Sequence, residues 1–153
     1  MLRSLLIGLV AGSRSMTPLA AVSAAANLHR LAPDNGAVKP LFSRLAGVGT
    51  ALLAVGELAG DKMKTAPDRI VPAGMAARLI TGAVAGAALA PHRQRVAAGA
   101  LGALAAVAAS YVTFGARMKA LDKYGQTKSG LVEDALVLGA TYLIVNAGRR
   151  APA

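Results

Sequence analysis

The amino-acid sequence predicts an all-α, polytopic membrane protein with four to five transmembrane helices, folded as one domain over residues 1–153. Two bulk properties and one pattern point there. Hydrophobic residues make up 55% of the chain and mean hydropathy is +0.51. Charged residues are 16%, against ~25% in soluble domains. The apolar residues also fall in long runs parted by short connections rich in Pro, Gly and Arg, as expected when each run must approach the ~20 residues that cross a bilayer. Ala and Gly dominate these runs, and small residues let membrane helices pack at close range. No stretch alternates in the way barrel strands require.

The first apolar run, Leu5 to Leu28, reads as one retained helix rather than a signal peptide, because Arg14 interrupts it and further spans follow. Pro18 should bend it by removing an internal hydrogen bond. Pro33-Asp34-Asn35-Gly36 is turn chemistry. A second helix is expected over Leu41–Gly60, and a loop with Pro67 and Pro72 follows. A third run covers Met75–Ala90, a fourth covers Val96–Ala116 and can continue as helix outside the bilayer, and a fifth covers Leu131–Asn146. The third and fifth are short for a span, so four or five crossings are admissible. In the five-span arrangement Lys and Arg are slightly more numerous on the N-terminal side, which favours a cytoplasmic N-terminus.

Composition also excludes functions. The net charge of +10 matches basic loops beside an anionic leaflet. Nucleic-acid binding would need basic stripes interleaved with aromatics, and aromatics are 3%. With no cysteine, disulfides and thiolate metal sites are ruled out, and His29 and His92 fall in separate loops. There is no phosphate-binding glycine loop, nucleophile elbow or zinc-helix motif, so no cofactor is expected.

Four clusters carry possible chemistry. Ser13, Arg14, Ser15 and Thr17 gather a guanidinium and three hydroxyls inside an apolar run. An Arg at mid-membrane costs ~2.5–3.5 kcal/mol on insertion scales, so an acid, a wet cavity or an anionic ligand should offset it. Glu57 and Asp61, four apart on one helix face and followed by Lys62, could hold a proton, bind a hard cation or neutralise Arg14. Arg69 and Arg78 suit phosphate or lipid head groups. Glu133 and Asp134 either favour the positive end of the last helix or, if that helix starts at Ser129, become partners for Arg14 or Arg117. Gly8–Ser13 and Gly82–Ala87 echo each other faintly, as a duplicated two-helix unit would.

Three segments together, Gly12 to Pro18, Gly-Glu-x3-Asp-Lys-x4-Pro-x-Arg over Gly56–Arg69, and Arg-x3-Gly-Ala-x2-Gly-Ala over Arg78–Ala87, resemble a bacterial family of small integral membrane proteins catalogued as a domain of unknown function. The resemblance implies a multi-pass protein of the bacterial inner (cytoplasmic) membrane and no particular reaction. From the residues, the leading expectation is a small transporter or channel-like protein for an ion or small polar solute. It would be surrounded by membrane lipid and work as a homo-oligomer, with Arg14 and its hydroxyls at mid-depth and Glu57 and Asp61 near one mouth. The alternatives are an enzyme acting on a lipid head group, with a metal on Glu57 and Asp61, and an accessory protein docking a larger partner.

Overall fold

A computed structural model describes residues 1–60 and 71–147. The described residues are all-helical: α1 (Leu2–Ser13), α2 (Met16–Asn27), α3 (Arg44–Gly60), α4 (Pro72–Ala88), α5 (Arg95–Tyr124) and α6 (Gln126–Asn146). Short 3₁₀ turns over Lys39–Phe42 and His92–Gln94 lead into α3 and α5. No strand occurs among them.

The first apolar run is not one helix. Arg14 adopts an extended conformation (φ −139°, ψ 113°) and ends α1, and α2 starts at Met16. The chain then reverses. Ser4 Oγ donates to the Gly86 carbonyl (2.9 Å), so the start of α1 lies beside the end of α4. The loop after α2 meets that same end, through Gly36 N–H to the Ala90 carbonyl (2.8 Å) and His92 N–H to the Asp34 carbonyl (3.0 Å). So α1 and α2 form a hairpin with Arg14 at its turn. Pro18 does not bend a span. It sits in the first turn of α2, where its missing N–H belongs to the set that has no intrahelical acceptor. Each arm has 12 residues, or ~18 Å, well short of the ~30 Å of a hydrocarbon core.

The other helices continue the alternation. α3 runs back along α2: Asn27 Nδ2 donates to the carbonyls of Leu41 (3.0 Å) and Ser43 (3.1 Å), while Glu57 reaches the start of α2. Ser43 Oγ caps the first turn of α3 by accepting from Ala46 N–H (3.1 Å). α4 begins with Pro72, whose fixed φ suits a first helical position. Gly125, at φ +79°, closes the link between α5 and α6 in the left-handed region that glycine enters without penalty. α6 descends beside α1, so that Arg3 donates to the carbonyls of Ile144 (Nε, 3.0 Å) and Val145 (Nη2, 3.0 Å). These are last-turn carbonyls that a helix end leaves open, and a cation suits that end of the dipole.

Two different packing modes hold the bundle. α1 and α4 both press glycines onto α5. A Cβ on Gly12 would stand 2.6 Å from the Ala106 carbonyl oxygen, and one on Gly82 would stand 2.7 Å from that of Gly102. A Cβ on Gly8 would collide with the Gly102 carbonyl oxygen. Gly8-x3-Gly12 and Gly82-x3-Gly86 are thus two close-approach faces on one partner helix. Away from this seam a cluster of ordinary apolar side chains, including Ile7, Val22, Leu41, Leu89, Ile144 and Val145, fills the space between α1, α2, α4 and α6.

The outer surface is apolar to a degree unusual for a chain in water. Leu45 is 84% exposed and Leu52 67% on α3, and Leu104 is 70% exposed on α5. Val112, Leu131, Leu136 and Leu143 are exposed as well. An outer face this rich in large apolar groups marks contact with lipid or protein. Two segments, His92–Ala120 (the second 3₁₀ turn and most of α5) and Lys128–Asn146 (in α6), are long and apolar enough to cross a membrane. By that test the described residues hold two such helices rather than the four to five the sequence suggests, because the first run splits into two short arms, α4 has 17 residues and 17 residues of α3 are described. This gives modest support to membrane association.

The glycine seam yields a direct test. Gly102→Val places a branched side chain against the Gly82 carbonyl and should lower stability by ~1–3 kcal/mol or more. Gly115→Ala, where a Cβ meets nothing within 4 Å, should be neutral or stabilise by up to ~1 kcal/mol. Thermal unfolding of the detergent-solubilised protein measures both.

Candidate functional site

The site forms where α1 stops. Arg14 is 1% exposed and is the largest of the fully buried side chains. Its Nε and Nη2 both donate to Asp134 Oδ1, at 3.1 and 2.6 Å. Asp134 is itself buried, two turns inside α6. A buried charge is tolerable when paired and hydrogen-bonded, and Asp134 Oδ1 supplies both for Arg14. Asp134 is available because α6 begins at Gln126 rather than near Leu131, so Glu133 and Asp134 do not favour the helix N-terminus. They point to two different arginines instead. Glu133 Oε2 accepts from Arg117 Nη1 (3.1 Å) on α5.

Next to Arg14 the start of α2 is capped from outside. Ser15 N–H (2.9 Å), Ser15 Oγ (3.0 Å) and Met16 N–H (2.8 Å) all donate to the Glu57 carboxylate, two to Oε1 and one to Oε2. Ser15 does not cap α2 with its own hydroxyl, and Glu57 on α3 performs that task. The two charges match the two dipoles at the turn. Arg14 stands at the negative end of α1 and Glu57 at the positive end of α2.

The remaining groups of the site lie at the same level. Ser110 Oγ donates to the Ala106 carbonyl (2.7 Å) and lies 3.3 Å from that of Gly12. Ser4 is opposite Gly86 and α1 and α4 are antiparallel, so Arg78, eight residues before Gly86, lies at the height of Gly12. Arg78 is buried on the face that carries Gly82 and Gly86. The Thr17 hydroxyl is buried at the start of α2 with no hydrogen bond among the described residues, and the Thr141 hydroxyl on α6 is in the same condition. Ser13 is half-buried and lines a cleft between α5 and α6.

Of the residues the sequence singles out, Arg14, Ser15 and Glu57 come together, with Thr17 and Arg78 close by in register. Asp61, Lys62 and Arg69 lie outside the described residues. Both oxygens of Glu57 are held by the α2 terminus, which gives it a capping role that the sequence reading did not include. The sequence also gives no hint of Arg3 as the clasp on α6. A signal was present for the buried face of α6, since Asp134, Val137, Thr141 and Ile144 recur at spacings of three and four.

Comparison with family models, with curated proteins and with solved structures finds no match. The candidate site therefore rests on its own geometry, and the family resemblance drawn from the Gly56–Arg69 segment stays an expectation.

Removing one partner of the buried pair should cost far more than removing both. Asp134→Ala takes the Asp134 carboxylate away from a buried guanidinium and should destabilise by ~3–5 kcal/mol, whereas Arg14→Met with Asp134→Leu should recover much of that loss. Glu57→Ala uncaps α2 and should cost ~1–2 kcal/mol. Denaturation of the purified variants in one detergent ranks the three.

Proposed function

We propose that the protein is a multi-pass inner-membrane transporter or channel-like protein for an ion or small polar solute, with the turn of the α1–α2 hairpin as its working site. In this reading α3, α4, α5 and α6 cross the bilayer. The 17 residues of α3 and α4 are the lower limit for a span, and their exposed leucines, valines and isoleucine face acyl chains. The hairpin enters from one side and turns back before reaching the other. Non-spanning helices whose ends meet at depth are how many transporters present helix dipoles and ionisable groups to a solute.

The observation that carries the reading is the Arg14–Asp134 pair at the hairpin turn, flanked by the capping Glu57. Ionisable groups at membrane depth mark solute or proton pathways by default. The head-group enzyme is less well supported, because it needs Glu57 oxygens free for a metal and they hold three hydrogen bonds. The hairpin also puts Arg3 on the side of Arg30, Lys39 and Arg44. That removes the charge excess that favoured a cytoplasmic N-terminus. The homo-oligomer belongs to the same proposal: α3 buries only Ala54, and Gly49 and Gly56 on it leave room for a second helix at close range.

Reconstitution in liposomes tests the reading. Flux of protons, small cations and small anions is measured for the parent, Arg14→Lys and Asp134→Asn. The expected result is a flux well above empty liposomes in the parent, reduced at least about tenfold in both variants, as loss of a ~1.4 kcal/mol interaction in the pathway would produce. Equal flux in parent, variants and empty liposomes defeats the proposal.

A further inference from the structure

α5 and α6 are joined at Gly125, yet they stand apart below that turn. Between them lies a cleft of about 540 Å³, a volume in the range of small-ligand pockets. Its walls are Ala116 and Ala120 on α5 and Val132, Leu136 and Val137 on α6, and Ser13 at the end of α1 lines it too. Val132 and Leu136 are exposed, so the cleft opens sideways onto the apolar outer surface rather than to the hairpin alone. Among the described residues its charged groups lie at the Gly125 end: the Arg117–Glu133 ion pair joins α5 to α6 at 3.1 Å, and Lys128 stands exposed. Within that described lining Arg117 and Glu133 cancel, which leaves the Lys128 ammonium.

We propose that this cleft holds one acyl chain of an anionic amphiphile, with its phosphate head group at Lys128. Three features select that ligand. Ser13 and Thr113 also line the cleft, but the surface it exposes is mostly alkyl, so a polar solute would exchange its water for few hydrogen bonds there, while an acyl chain loses nothing. The long dimension fits, because Lys128 to Val137 spans nine residues of helix, ~13 Å, the reach of a chain rather than of a compact molecule. The single net positive charge at one end complements one phosphate and gives an anionic head group the advantage over a zwitterionic one. The site rests on the membrane setting of the proposed function and not on transport. A chain seated here would touch Ser13, the neighbour of Arg14, and would hold the two longest helices at their present separation.

The parent chain contains no tryptophan, so one introduced indole reports alone. Val132→Trp places it on the cleft rim, and Leu104→Trp places a reference on the outer surface of α5. Both variants are reconstituted in phosphatidylcholine vesicles containing a small fraction of phosphatidylglycerol or phosphatidylcholine with brominated chains. The expected result is quenching of Val132→Trp at about fivefold lower mole fraction of the brominated anionic lipid than of the zwitterionic one. Adding Lys128→Gln should abolish that difference, inorganic phosphate in the buffer should leave it unchanged, and Leu104→Trp should be quenched equally by both lipids. Equal quenching of Val132→Trp by both lipids, a difference that survives Lys128→Gln, or relief by inorganic phosphate overturns the amphiphile site while leaving the membrane setting intact. No quenching of Leu104→Trp by either lipid overturns that setting and the cleft proposal with it.

Discussion

The whole arrangement depends on one ion pair. A guanidinium among apolar helices needs an oxygen partner, and Asp134 supplies it from the far end of the chain in sequence. The pair fixes the depth of α6 against α1, and Arg3 fixes the same register one helix length away by holding the last carbonyls of α6. With both ends clamped, α6 cannot slide along α1 without unpairing a buried charge, which is among the most costly single events in a folded protein. The reversal of the chain at Arg14 is stable for a related reason. The amides opened by the break are taken up by Glu57, so the turn leaves few backbone donors orphaned in an apolar setting.

Glycine does the complementary work. Residues without a side chain bring α1, α4 and α5 close enough for carbonyl and Cα atoms to touch. Dispersion between closely packed atoms falls off steeply with distance, so this close approach strengthens it. The likeness between Gly8–Ser13 and Gly82–Ala87 has a direct physical cause here: both segments face the same helix near Gly102 and obey the same steric limit. A common packing requirement acts on both segments.

Much of the fold can be read in the sequence, and the exceptions are instructive. The expected runs after Pro40 correspond to α3, α4, α5 and α6 within a few residues at most boundaries, because hydropathy reports length and Pro or Gly reports ends. The first run misleads for the opposite reason. Periodicity cannot distinguish a 24-residue helix from two 12-residue helices folded back on each other, since the apolar content is the same. Gly12-Ser13-Arg14-Ser15 are four residues that favour helix ends or resist burial, whereas Pro18 lies within the first turn of α2, where a proline is tolerated. The site was half legible. The need for an acid near Arg14 follows from its burial cost, and Asp134 was one of few candidates. The role of Glu57 was not legible, because it caps a helix terminus whose existence depends on the reversal.

α3 differs from its neighbours in how it is held. It packs along α2 and the 3₁₀ turn before it, and it buries a single residue, whereas α1 is locked by α4, α5 and α6 together. Elements with few buried contacts open at lower free energy than the body of a protein. α3 is therefore the peripheral stave of the bundle, and Glu57 travels with it. Through the amides of Ser15 and Met16 that carboxylate moors α3, which buries a single residue, to the break between α1 and α2.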